Sequence, residues 1–385
     1  MSSNESNNTG IFFSGTLSDG KLLFRDIEYR LGEEMFQGPF YHDDSTVIYM
    51  TNDSDKNMTS TRESYYAMNL SDMSSEQIVQ IPALTVDSGS SVTIQNNYYT
   101  CPARENENGE LVNYLTEIQF DKHQANVLLE MKLQIPFVYF SKLNDEEFIM
   151  LTHKQYNGTG LYSEVQRFNV VSNEFMPLIS CILDVEPSND GEMIEQICAR
   201  DGHIVVVRNK QHNGKIMRYI QVYTREGILE SEISSNELDR YLYDTRTLRV
   251  IANGNYFYMI NWRMETKLFK SVEGNLIETD LGVQKSYPLS YYENATYSEK
   301  LDRVYFISHE ERENGGTPTF LYALDTTNGV VIKWGIDFGD GCTRLSGGMV
   351  DLYGNLVLMV HTSDDINYEN PKYFYVDATS LLLNP

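Results

Sequence analysis

Arg303-Val-Tyr-Phe-Ile-Ser-His309 is an apolar run closing on a polar pair, and the segments downstream of it decide the fold. A charged, glycine-containing loop covers 310–317. Phe320-Leu-Tyr-Ala-Leu-Asp325 is a second apolar run, Thr326-Thr-Asn-Gly329 a tight turn, and Val330-Val-Ile-Lys-Trp334 a third run. Runs of this length, rich in aromatic and β-branched residues and bounded by turn formers, read as strands. The order is strand, loop, strand, turn, strand.

The first run has siblings along the whole chain: Val47-Ile-Tyr-Met-Thr-Asn52, Tyr98-Tyr-Thr-Cys-Pro102, Phe148-Ile-Met-Leu-Thr-His153, Ile204-Val-Val-Val-Arg-Asn209, Tyr256-Phe-Tyr-Met-Ile-Asn261 and Leu356-Val-Leu-Met-Val-His361. Together they are seven copies, about fifty residues apart, which is the period of a four-stranded propeller blade. They are apolar at successive positions, as expected of strands covered on both faces. Each serves as strand B of its blade. Turns such as Asp201-Gly-His203, Asn253-Gly-Asn255 and Tyr353-Gly-Asn355 precede it, and a C strand and usually a D strand come after it. The expected fold is therefore all-β: a seven-bladed β-propeller of four-stranded antiparallel blades over residues 11–385, with residues 1–10 as a flexible polar tether.

The last blade lacks a D strand after residue 377. Lys21-Leu-Leu-Phe-Arg-Asp-Ile27 is expected to complete it beside residues 372–377, with Ile11-Phe-Phe-Ser14 extending the same hairpin. The alternative is a stub strand at 380–383. Ser234-Ser-Asn-Glu237 reads as a capping box that opens a short helix through residue 243.

Blade six resembles the quinoprotein-type propeller repeat, in which an Ala-x-Asp-x-x-x-Gly turn leads to a tryptophan. The matching residues are Ala323, Asp325, Gly329 and Trp334, with the tryptophan one position late. The resemblance implies turn-forming and packing roles for these residues and no quinone site.

Composition excludes several classes. Net charge is −25, with 55 acidic against 30 basic residues, which argues against free nucleic acid and anionic membrane surfaces as partners. No apolar run reaches the ~20 residues of a transmembrane helix. The polar first ten residues look like a lipoprotein-like tether left after export, which places the protein outside the cell or on its surface; the alternative is a frayed terminus in the cytoplasm. Cys101, Cys181, Cys198 and Cys342 show no metal-ligand spacing, and buried thiols are favoured over bridges.

The polar residues closing the B strands fall at equivalent positions on the face where B–C and D–A loops emerge. The ligand-binding candidates are Asn52, His153, Asn209, Asn261, His309 and His361, with Pro102 at the matching place in blade two. Three histidines invite a metal, but His153 lies across the ring from the other two, so neither a metal nor another cofactor is expected. Hydrogen bonding to neighbouring loops is the structural alternative for these side chains. The B–C loops of blades six, seven, one and two are acidic, while blades three to five carry Lys154, Lys210, Lys215, Arg263 and Lys267, a dipolar face. Glu186-Pro-Ser-Asn-Asp-Gly191 and Asp337-Phe-Gly-Asp-Gly341 read as turns rather than calcium loops. The tyrosine pairs 65–66, 98–99 and 291–292 are expected to pack between blades rather than stack sugars. Catalytic motifs such as GxSxG, a P-loop or HExxH are missing. The preferred function is a non-enzymatic, exported, monomeric propeller that binds a protein or saccharide. The alternative is a propeller enzyme (carbohydrate lyase, hydrolase or lactonase) working at the channel mouth. A WD-type cytoplasmic scaffold ranks last.

Overall fold

The computed structural model describes the strands and their pairing along the chain, the connections within 91–184, and residues 74, 190, 202 and 225–228. Side-chain contacts are drawn from the part between residues 46 and 232. β1 (Thr9–Ser18) and β2 (Lys21–Arg30) form a hairpin. β3 (Met35–His42), β4 (Thr46–Ser54), β5 (Thr61–Asn69) and β6 (Ser75–Ala83) make a four-stranded antiparallel sheet, unit one. In unit two, β7 (Val92–Ile94), β8 (Asn97–Thr100), β9 (Ala103–Glu105), β10 (Leu111–Gln119) and β11 (Gln124–Met131) are arranged with β8 and β9 both on β10.

An eight-stranded sheet comes next. Its first half, unit three, is β12 (Ile135–Lys142), β13 (Glu147–Tyr156), β14 (Gly160–Asn169) and β15 (Glu174–Leu183). Its second half, unit four, is β16 (Gly191–Arg200), β17 (His203–His212), β18 (Lys215–Thr224) and β19 (Leu229–Ile233). One backbone pair, Leu183 with Gly191, joins the halves. β20 (Thr245–Ile251), β21 (Tyr256–Asn261), β22 (Thr266–Val272) and β23 (Asn275–Thr279) repeat the four-stranded order. The remaining strands are β24 (Ala295–Ser298), β25 (Arg303–His309), β26 (Thr319–Asp325), β27 (Val331–Gly335), β28 (Cys342–Val350), β29 (Leu356–Thr362) and β30 (Lys372–Val376). With the N-terminal hairpin they form a nine-stranded sheet in the order β24-β25-β26-β27-β2-β1-β30-β29-β28.

The apolar runs read from the sequence fall on these strands, except that the run 98–102 breaks after Thr100 and one pair of strands is exchanged. The neighbour of β30 is β1, paired in parallel from Ile11 with Lys372 to Gly15 with Val376, and β2 lies outside it. Residues 21–27, expected in that position from the sequence, belong to β2. Both hairpin strands carry strand-forming apolar residues, so periodicity does not select the edge that docks. The capping box at 234–237 and its helix lie outside the described residues.

Burial explains the unbroken apolar runs. In β13 every residue from Glu147 to His153 is buried. Successive side chains on a strand point to opposite faces, and β13 feeds two cores in this way. Phe148 and Met150 pack with Val92, Ile94, Tyr99, Leu115 and Phe140 towards unit two. Ile149 and Leu151 pack with Ile194, Ile197, Ile204 and Val206 towards unit four. The adjacent tyrosines of β8 divide likewise: Tyr98 joins Ile48, Met50 and Tyr65 towards unit one, while Tyr99 faces unit three. These two tyrosines are core residues, as the sequence suggested. The outer strands β11 and β15 are exposed or half-buried along most of their length, with one buried residue each, Met131 and Ile179, as expected of strands with one solvated face.

Turn chemistry sets the registers. Gln95 and Asn96 both take positive φ between Ile94 and Asn97, the requirement of a two-residue hairpin turn of the primed type. Gly202, at φ 78°, serves the hairpin in which Arg200 pairs with His203.

Candidate functional site

The end of each unit where strand B passes into strand C is the place where the sequence pattern puts the site. In units one, three and four the B strands run past the polar residue that closes the apolar run: β4 ends at Ser54, β13 at Tyr156 and β17 at His212. Asn52, His153 and Asn209 are therefore rungs of the ladder, opposite Glu63, Ser163 and Arg218 respectively, not loop residues. His309, opposite Thr319, and Asn261, opposite Thr245, are the last residues of their strands. His361 pairs with Arg344 one residue before the end of β29.

His153 is buried, and its Nδ1 lies 3.0 Å from the Ser163 hydroxyl. Burial pushes its pKa down to about 4, so the ring is neutral at physiological pH. Ser163 in turn stands opposite Cys181 on β15, and the three side chains form a row across β13, β14 and β15. Desolvation, the largest of several influences, raises the Cys181 thiol to about 11. A protonated thiol is a poor nucleophile, so this row links strands through hydrogen bonds and has no activated nucleophile.

Asn209 does not converge on His153. Ile204 and Val206 of β17 pack towards unit three, so alternation sends Arg208 that way and Asn209 to the opposite face. The Asn209 amide donates to Glu195 Oε1, and Arg218 Nε lies 3.5 Å from Glu195 Oε2. Arg208 Nη1 contacts Glu192 at 2.8 Å, and Lys210 reaches the other oxygen of that carboxylate at 3.4 Å. In unit three, Lys154 binds Glu164 at 2.6 Å. Two cations expected to make this side positive, Lys154 and Lys210, are thus matched by carboxylates from neighbouring strands. Charge alternates within each unit here.

Three residues at this end escaped sequence reasoning. Glu63 is 1% exposed and accepts a hydrogen bond from the Tyr65 hydroxyl at 3.0 Å. Desolvation raises its pKa to about 7, partly offset by that bond. Its spacing of two from the core residue Tyr65 was the available signal, because residues i and i+2 share a face. Glu192 and Glu195 precede an apolar run and carried no comparable mark. At the other end of unit three, burial of Glu147 is outweighed by Arg225 at 2.6 Å, Asn144, Asn169 and Arg167, which hold its carboxyl below the usual range. Among the described residues no group of three metal-ligating side chains occurs, no helix is long and apolar enough to cross a membrane, and Cys101, Cys181 and Cys198 are outside any disulfide.

No family model and no curated protein matches the sequence. Solved structures do match in fold. The β-propeller domain of the trilobed protease from Pyrococcus furiosus superposes with a TM-score of 0.54 at 12% identity, over 89% of this chain and 95% of that one. Oligogalacturonate lyase from Vibrio parahaemolyticus gives 0.51 at 11% identity, over 96% and 97%. The acylaminoacyl peptidase of Pyrococcus horikoshii gives 0.52 at 11%, and there the chain spans only 51% of the peptidase.

Proposed function

On the premise that the chain is a β-propeller, we propose that it has seven blades, with the ring closed where β1 pairs with β30, and that it binds a polar protein or saccharide at the B–C and D–A end without transforming it. The observation that carries the reading is the mixed-sign rim of blades three and four. Glu164 with Lys154, Glu192 with Arg208 and Lys210, and Glu195 with Arg218 and Asn209 place donors and acceptors side by side at that end. Such a rim suits a ligand that offers both hydroxyl and charged groups and selects against one of a single charge sign. The protonated thiol of Cys181 and the neutral, hydrogen-bonded imidazole of His153 agree with a binding role.

The test is an array of neutral, uronate and amino-sugar oligosaccharides probed with the full chain, with product release from every bound sugar monitored by mass spectrometry. Saturable binding without new products, weakened tenfold by Glu195→Ala, supports the reading. Turnover of any bound saccharide sinks it in favour of the enzyme alternative.

A further inference from the structure

A second site lies between units one and two, apart from the rim of units three and four. Strand B of unit two is interrupted after Thr100: Cys101 and Pro102 leave the ladder, and β9 resumes on β10 with Arg104 opposite Val112. The interruption is held in place by Asn113, whose side-chain amide donates to Cys101 O at 3.2 Å and Pro136 O at 2.7 Å. Tyr114 N donates to Pro102 O at 3.0 Å. The break opens a pocket of about 210 Å³ floored by Arg104, Tyr114, Thr116 and Val127 of unit two and roofed by Gln80 and Pro82 of β6. At ~30 Å³ per water that volume equals about seven water molecules, enough for a small organic acid or one acidic side chain.

The chemistry of the floor is set by one cation. The Arg104 guanidinium carbon sits 3.9 Å from the Tyr114 ring centroid. Stacking occupies the planar face of a guanidinium and leaves its edge of N–H donors free, pre-oriented for a planar two-oxygen acceptor. Other half-buried cations of the described residues each have a carboxylate partner: Lys142 with Asp145, Lys154 with Glu164, Arg167 with Glu147, Arg208 with Glu192 and Arg218 with Glu195. Among the described residues Arg104 has none, in a chain with 55 acidic residues against 30 basic. An anion-selective edge has been kept clear beside apolar walls from Ile81, Pro82, Ala125 and Val127.

We infer that this inter-blade pocket binds a carboxylate, taken end-on by the Arg104 fork, with a short aliphatic stem against Val127 and Pro82. The carboxylate belongs to a free small dicarboxylic acid or to an acidic side chain of a peptide, and both offer the same planar acceptor. The site is independent of the rim proposed above.

The experiment is calorimetric titration of the full chain at low salt with glutarate, with the blocked tripeptide Ala-Glu-Ala, and with neutral glutaramide as control. Saturable binding of glutarate or the tripeptide, but not glutaramide, is expected, and the tighter of the two names the source. Arg104→Gln should weaken binding at least tenfold, and Arg104→Lys should weaken it too, because a lysine keeps the charge and loses the fork. Val127 is 53% exposed, so Val127→Asp should fold normally and abolish binding by supplying an internal carboxylate. Ligand-dependent elevation of Tm in the wild type, absent in Arg104→Lys, is a second readout. Failure of both carboxylates to bind, or undiminished binding by Arg104→Gln and Val127→Asp, overturns the proposal.

Discussion

Replacing Glu63 by glutamine should make the protein more stable at alkaline pH and leave it nearly unchanged in acid. Glu63 is buried with its carboxyl at a pKa of about 7, against an ordinary 4.5. The folded state therefore holds the proton more tightly than the unfolded chain. The stability this group contributes is fully present below pH 4.5 and lost as pH rises through 7. A difference of 7 − 4.5 = 2.5 pH units, at 1.36 kcal/mol each, corresponds to about 3 kcal/mol of lost stability above pH 8. Glutamine keeps the shape and still accepts the Tyr65 hydroxyl, now 3.0 Å from the carboxylate, without a charge to desolvate. The assay is urea unfolding of wild type and Glu63→Gln at several values between pH 5 and pH 8.5, the difference between the two curves cancelling the repulsion of the other carboxylates. The gap should widen by about 2–3 kcal/mol across that range. A gap independent of pH would refute the reasoning and mean that Glu63 reaches solvent or a cation when charged.

Single contacts carry three further expectations. His153, with its pKa lowered to about 4 by burial, contributes stability that is present above pH 6.5 and lost as pH falls through 4; its ring resonances in NMR should stay those of the neutral form at pH 5, and titration near 6.5 would contradict its burial. Phe148 lies between Tyr99, Phe140 and Phe168 at centroid distances of 5.1, 5.5 and 5.1 Å, so Phe148→Ala should cost about 3–5 kcal/mol in denaturant unfolding. Gly191 has φ +142°, and a Cβ there would meet Ile182 O at 2.5 Å. Gly191→Ala should therefore cost about 1–3 kcal/mol and lower Tm, because the pair that joins units three and four has to shift.

The repeated antiparallel units were legible in the sequence because a strand covered on both faces needs an unbroken apolar run. The seven runs from Val47 to His361 carry that mark at a near-constant spacing. Local chemistry was legible for the same reason: Gly202 announced its turn, and the pairing of Tyr98 with Tyr99 announced two cores. The partners of polar groups were not. His153 and Asn209 occupy equivalent sequence positions and corresponding faces of their strands, His153 towards unit four and Asn209 away from unit three. Yet one meets a serine hydroxyl and the other a carboxylate. Neither Glu63 nor Arg104 stood out in the sequence. Their character comes from burial under Tyr65 in one case and from stacking on Tyr114 with an interrupted strand behind it in the other. The sequence alone determined where the strands lie along the chain and which turns join them, since periodicity and turn residues act over a few neighbours. It did not determine how far each B strand runs past its apolar stretch. Tertiary structure decided which hairpin edge meets β30 and which charges are neutralised, because those energies depend on groups brought together from distant parts of the chain.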